Sequence, residues 1–267
     1  MKKLIDIKEE YLHLIKDDTF DFQKFNQFAI VHHSNSIEGS TLTKEETFLL
    51  LENRLTPKNK PLEHSFMAID HFDALKFVLE LAKLKKNISV EDLQRVSAKL
   101  MKNTGSKISS IAGDFDASKG DFRLVTVRAG VSTFMDYKKI PQRILELVSY
   151  INEEIKKVNG FESVYNLAFD VHFQLVSIHP FADGNGRISR LLMNYIQSYH
   201  NQPLTVVFDE DKSDYYQMLV ETREKEDITV FRNFMFSQTE KFFNQQIVQL
   251  TKSQKESSNK SGLSFLF

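Results

Sequence analysis

Along most of this chain, apolar residues recur with the three-and-four spacing of an amphipathic helix. Val164, Leu167, Ala168, Val171, Leu175 and Ile178 fall on one helical face, and Ile188, Leu191, Leu192, Tyr195, Ile196 and Tyr199 fall on another. The two runs predict a pair of helices joined by the stretch HPFADGNGR, residues 179–187. Helix ends are legible elsewhere too. Thr43 and Glu46 have the spacing of a capping box, and Ser89 reads as an N-cap with Ile88 placed to staple onto Leu93. Gly39 follows a helical stretch where a C′ glycine belongs. One segment breaks the period. GDFRLVTVRAGVSTF, residues 120–134, is β-branched and aromatic around an internal glycine, and predicts a short hairpin or flap. The expected fold class is mostly α, a helical bundle with one short β-hairpin flap.

Composition narrows the function classes. The 267 residues are 41% hydrophobic, enough for one large domain or two small ones with a real core. With no cysteine, disulfides and thiolate metal sites are excluded. A net charge of -1 with both signs interspersed gives no bulk attraction to nucleic acid or to a membrane. Basic runs such as Lys83–Lys86 sit at helix ends, where the dipole favours cations. No apolar run is long enough to span a bilayer, and MKKLIDIKEE lacks the apolar stretch of a signal peptide. A soluble, cytoplasmic protein is expected. The end of the chain, TKSQKESSNKSGLSFLF, is mostly polar, and its early part is expected to extend the last helix.

The candidate chemistry lies in the loop and the first turn after it, HPFADGNGRISR, residues 179–190. Gly184, Asn185 and Gly186 before a helix let successive backbone N–H groups converge on one concavity, an anion site. Arg187 and Arg190, three residues apart, lie near one another on the helix face opposite Ile188 and Leu191. Two guanidinium groups over such a nest suit several phosphates rather than one. Asp183 is poorly suited to touch phosphate, but it can hold a Mg²⁺ that bridges phosphates. His179 stands at the rim, where a neutral imidazole is a natural general base for an incoming hydroxyl.

At every fixed position this stretch resembles the Fic-domain signature, His-x-Phe-x-(Asp/Glu)-Gly-Asn-Gly-Arg-x-x-Arg, and the resemblance runs from about Phe22 to Phe243. It implies a Fic-type helical bundle whose flap covers the active-site loop, and AMP transfer from ATP, with Mg²⁺, to a Ser, Thr or Tyr hydroxyl of a target protein. His179 would deprotonate the hydroxyl and Asp183 would bind the metal. Gly184, Asn185 and Gly186 would line the anion hole, with Arg187 on the phosphates and Arg190 on the γ-phosphate. DFRLVTVRAG resembles the family's flap with Phe122 in place of a tyrosine. Val127, Arg128, Ala129 and Gly130 are then the positions that clamp the target as an added strand. Tyr215 matches a family tyrosine beside the adenine, although a core tyrosine is an alternative reading. A homodimer is compatible with the class.

Ser34 and Glu38 stand one helical turn apart, directly before Gly39. A carboxylate at a helix C-terminus is unfavourable by a few tenths to about 1 kcal/mol, which a nearby arginine would offset. Residues 34–39, SNSIEG, resemble the family's inhibitory motif, (Ser/Thr)-x-x-x-Glu-(Gly/Asn), in the class that carries it N-terminal to the loop. The resemblance implies that Glu38 pairs with Arg190 at the γ-phosphate position. Three parts are expected: an N-terminal helical region over 1–110 carrying this motif, a catalytic core with flap over 111–245, and a polar tail over 246–267.

The other histidines argue against a second metal centre. His32 and His33 are adjacent, so on a helix they point about 100° apart. His64 and His71 are two turns apart, about 10 Å, too far to share one zinc. His172 reads as a core or supporting residue. Three alternatives to AMP transfer stay open: hydrolytic removal of AMP at the same site with Glu38 orienting water, transfer of UMP, phosphate or phosphocholine, and a non-catalytic interaction module.

Overall fold

The computed structural model describes residues 3–16, 22–129 and 132–257. Its helices are α1 (Leu4–Lys16), α2 (Phe22–Ile37), α3 (Lys44–Asn53), α4 (Leu62–Leu84), α5 (Val90–Leu100), α6 (Ile140–Glu154), α7 (Phe161–Ile178), α8 (Asn185–Tyr199), α9 (Lys212–Lys225) and α10 (Ile228–Ser257). The predicted caps are present. The Thr43 side chain accepts from Glu46 N–H while Glu46 reaches back to Thr43 N–H, and Ser89 and Asp92 do the same for α5. Ile88 and Leu93 are buried beside the Ser89 cap. Gly39, at φ 99°, follows α2 and donates its N–H to Ser36 O.

Helices α7 and α8 pack closely, and α4 lies across α8. The apolar stripes of α7 and α8 are buried as the spacing predicts, with Tyr199 half-buried at the end. The other side of α8 is buried as well. Asn185, Arg187, Ser189, Arg190, Asn194 and Gln197 are all shielded from solvent. Asn194 and Gln197 reach this state by bonding to each other and to Thr205, at 2.8–3.1 Å. Most buried polar groups are paired in this way. The polar face of α8 therefore meets protein rather than water, and its first two turns carry the site.

The β-structure differs from the expectation in two ways. An additional antiparallel hairpin, β1 (Lys107–Ser110) with β2 (Gly113–Asp116), follows α5 and is anchored by buried Phe115. The expected hairpin over 120–134 narrows to β3 (Arg128–Ala129) and β4 (Ser132–Thr133), in register Arg128↔Thr133 and Ala129↔Ser132. Gly130 lies outside the described residues. The boundary drawn at 110 falls in the turn between β1 and β2, and the buried cluster is continuous from Ile7 in α1 to Leu250 in α10. The two expected parts thus share one core, because α4 and α5 pack onto the helix that carries the loop. Helix α10 takes in the early part of the polar tail; residues 258–267 lie outside the described residues.

Candidate active site

Helix α7 ends at Ile178, and His179 follows in the left-handed region, φ 54° and ψ 59°, donating its N–H to Leu175 O at 2.9 Å. For a non-glycine residue that conformation is strained, and it persists only where the surroundings impose it. Here Arg123 does so. Its buried guanidinium donates to His179 O at 2.7 Å, to Met135 O at 2.7 Å and to Val125 O, tying the loop to both arms of the flap. The His179 Nδ1 lies 3.3 Å from Val176 O. A carbonyl only accepts, so Nδ1 carries the proton and Nε2 the lone pair. Burial pushes the imidazole down to about 4, with Arg123 and Arg223 acting in the same direction against the Val176 bond and Glu38. His179 is therefore neutral at pH 7. The Phe134 ring stacks on it, 3.8 Å between centroids at 19°.

Gly184, at φ 78° and ψ 1°, opens α8. The Asn185 side chain folds back into the loop. Its Oδ1 accepts from Phe181 N–H and its Nδ2 donates to Phe181 O, both at 2.9 Å. The amide shapes the loop, and the backbone N–H groups of the first turn of α8 have no intrahelical acceptor. Arg187 is buried beneath it. One nitrogen, Nη2, reaches Asp183 Oδ2 at 3.3 Å and Met101 Sδ at 3.6 Å. Nε and Nη1 are buried without a hydrogen-bond partner among the described residues. Orphaned buried donors cost about 1–3 kcal/mol, more when charged. Asp183 stands at the rim with its side chain 68% exposed, a hard-oxygen donor open on its outer side.

Arg190 is closed off. Nε donates to Ser34 Oγ at 2.7 Å, Nη2 to Ser34 O at 3.1 Å and to Glu38 Oε1 at 2.6 Å, and Nη1 contacts Tyr215 Oη at 3.4 Å. Burial pushes the Glu38 carboxyl up, but the Arg190 charge and hydrogen bond, with Arg187 and Lys212, bring it below the ordinary carboxylate range. Glu38 is thus ionised. A Cβ on Gly186 would stand 2.6 Å from Glu38 Oε1 and 3.3 Å from Arg190 Nη1, so a glycine lets the ion pair lie against the first turn of α8. Ser34, Glu38, Gly186 and Arg190 come together as the motifs suggest.

Tyr215 lies elsewhere than beside an open nucleotide cleft. It is fully packed behind Arg190, its hydroxyl 3.0 Å from His172 Nε2 and its ring parallel to the imidazole. The neighbouring Tyr216 is the exposed one. Of the flap positions, Val127 accepts from Phe134 N–H at 3.2 Å, and Arg128 and Ala129 form β3. The roles of Arg123, Phe134 and Arg223 escaped the sequence reading. Arg123 stands in the flap segment, but nothing in its spacing signals a buried guanidinium bridging loop and flap.

Residues 87–197 match the model of the Fic/DOC family. The chain is 29% identical over 214 residues to a relative named protein adenylyltransferase Fic from Drosophila grimshawi, covering 80% of this chain and 41% of that protein. It is 26% identical over 222 residues to protein adenylyltransferase fic-1 from Caenorhabditis briggsae, covering 82% of this chain and 41% of that protein. The chain thus spans less than half the length of these curated relatives. In fold it is similar to a Fic-domain-containing signaling protein from Bacteroides thetaiotaomicron, with a TM-score of 0.77 at 23% identity over 93% of this chain and 98% of the other. No helix among the described residues is long and apolar enough to cross a membrane. The chain carries a Fic domain over residues 87–197, which contain the 179–187 loop and α8 as far as Gln197.

Proposed function

We propose that this protein transfers AMP from ATP to a hydroxyl side chain of a target protein, and that Glu38 holds the site inhibited in cis. The observation that carries the reading is the grouping of a neutral His179, the buried unsatisfied donors of Arg187 and an Arg190 occupied by Glu38, all around one helix N-terminus. The names of the relatives support it. His179 Nε2 takes the proton of the incoming hydroxyl, whose oxygen attacks the α-phosphorus. The bond from that phosphorus to the bridging oxygen breaks and diphosphate leaves. Arg187 and the first-turn N–H groups bind the phosphates, and a freed Arg190 holds the γ-phosphate so that the attack is in line. Mg²⁺ at Asp183 would supply charge neutralisation for the leaving diphosphate.

One feature favours a second reading, hydrolytic removal of AMP. Glu38 is ionised and its side chain is 25% exposed, so it is able to accept a hydrogen bond from an attacking water. ATP labelled at the α- or the γ-phosphate separates the possibilities in wild type and Glu38→Gly. Incorporated α-label means AMP transfer and γ-label means phosphorylation. Release of AMP from modified protein by the wild type alone means the hydrolase.

Two further results are expected. Asp183→Ala loses the Mg²⁺-dependent activity of the Glu38→Gly background, and full activity across a magnesium titration would place the metal elsewhere. In that same background, kcat/KM stays level as pH falls from 7 and drops only near pH 4. His179 must be neutral to act, and burial has lowered it to about 4; losing Glu38, which raises it, moves it lower still. A midpoint near 6.5, the value of an exposed histidine, would mean that burial does not hold the acting imidazole neutral.

A further inference from the structure

A second cluster, away from the phosphate site, joins α2 to the short turn before α9. His32, His33 and Asp209 each offer a ligand atom, and those atoms lie within 4.8 Å of one another. The expectation that adjacent histidines diverge holds for the helix backbone, but Asp209 sits across the seam between the two rings. His33 reaches it with the near nitrogen, Nδ1, at 2.6 Å from Oδ1, and His32 with the far nitrogen, Nε2, at 3.8 Å from Oδ2. The rings stand 5.1 Å apart at 65°.

The hydrogen-bond chain behind His32 fixes which atoms carry lone pairs. Thr47 Oγ1 donates its proton to Thr43 O at 2.9 Å, so towards His32 it only accepts. His32 Nδ1, 3.4 Å away, is then the donor, and Nε2 carries the lone pair. Two acceptors, Nε2 and Asp209 Oδ2, thus face each other beyond hydrogen-bond distance. Tetrahedral bonds of about 2.0–2.1 Å put neighbouring ligand atoms about 3.3 Å apart. The three ligand atoms lie within 4.8 Å of one another, so they would close to that spacing as an ion binds.

We propose that His32 Nε2, His33 Nδ1 and Asp209 bind a divalent transition-metal ion of the zinc type. Two imidazoles and one carboxylate are the ligand set such an ion takes, with a fourth position for water. His33 Nδ1 gives up its proton on binding, which moves to Nε2 or to solvent. Asp209 N–H, 3.4 Å from that Nδ1, yields to the metal. The ion would fasten α2, the helix that carries Ser34, to the segment between α8 and α9. This inference is independent of the transfer reading, because none of its ligands touches the phosphate site.

The test uses the full chain, free of any tag and stripped of metal, titrated with Zn²⁺ by calorimetry. Wild type is expected to show a high-affinity site and a rise in Tm with Zn²⁺. His32→Gln and Asp209→Asn should each weaken that site at least 10-fold and abolish the rise, whereas His179→Asn and Asp183→Ala should keep it. Equal affinity in wild type and in the His32→Gln, Asp209→Asn double variant overturns the proposal. Should the variants fail to fold, Co²⁺ bound to the wild type decides. Intense visible bands of a four-coordinate ion support the site, and the weak bands of hexa-aqua Co²⁺ overturn it.

Discussion

Glu38→Gly is expected to raise AMP transfer about 10²-fold over the wild type, and Arg190→Ala on top of it to remove the gain. Glu38 and the γ-phosphate would compete for one guanidinium. In the structure Arg190 Nη2 is 2.6 Å from Glu38 Oε1 and also reaches Ser34 O, while Nε and Nη1 contact Ser34 Oγ and Tyr215 Oη. On the proposed reading, a γ-phosphate arriving in that state would find this guanidinium engaged, and ATP would be held with its α-phosphate out of line. Misplacing reacting atoms by about 1 Å costs around 10²-fold, equivalent to about 2.7 kcal/mol at about 1.36 kcal/mol per decade. The substitution itself is mild for the backbone, because α2 ends at Ile37. It does leave a buried cation unpaired, which is costly. Glu38→Gly should therefore have a lower Tm than wild type without nucleotide, and ATP with Mg²⁺ should restore more of it than ATP restores to the wild type. A variant that is merely looser would not respond in that way, nor would it depend on Arg190. If Glu38→Gly shows no gain on any protein, itself included, autoinhibition through this pair is wrong and Glu38 is better read as the residue that positions water.

His179→Ala in the activated background is expected to lower transfer by about 10²–10⁴, the contribution of a positioned general base, while ATP affinity changes little. The Nε2 lone pair is the only imidazole group left for the reaction, since Nδ1 is committed to Val176 O. Phosphate binding is assigned to α8 and its arginines, so calorimetric titration with ATP should separate the two functions. Backbone strain is a competing cause of lost activity, because position 179 has φ 54°. His179→Asn controls for it, as asparagine tolerates the left-handed region better than alanine. Both variants should lose activity alike, and the asparagine variant should keep the higher Tm. An activity loss of only a few-fold in either would remove His179 from the role of base.

What the sequence determined by itself is local. The helix pair α7 and α8, the Thr43 and Ser89 caps, the Gly39 stop and the glycine turn that opens α8 are each written within a dozen residues. Periodicity, capping and glycine placement act over one or two turns of chain. The Ser34–Glu38 spacing and the Arg187–Arg190 spacing were legible for the same reason. What met what was decided by tertiary structure. Glu38 and Arg190 are 152 residues apart and touch only because α2 packs beside α8. Arg123 reaches the loop 56 residues away, and no pattern around it announces the three carbonyls it satisfies. Tyr215 could have faced a ligand or the core, and the packing of α9 against α10 turned it onto His172 and Arg190. The polar side of α8 had the composition of a solvent face, yet it is buried, because a helix period records which residues share a side and not what that side meets. Adjacent His32 and His33 diverge along their own helix, and only the arrival of Asp209 from 176 residues beyond His33 gave them a common partner.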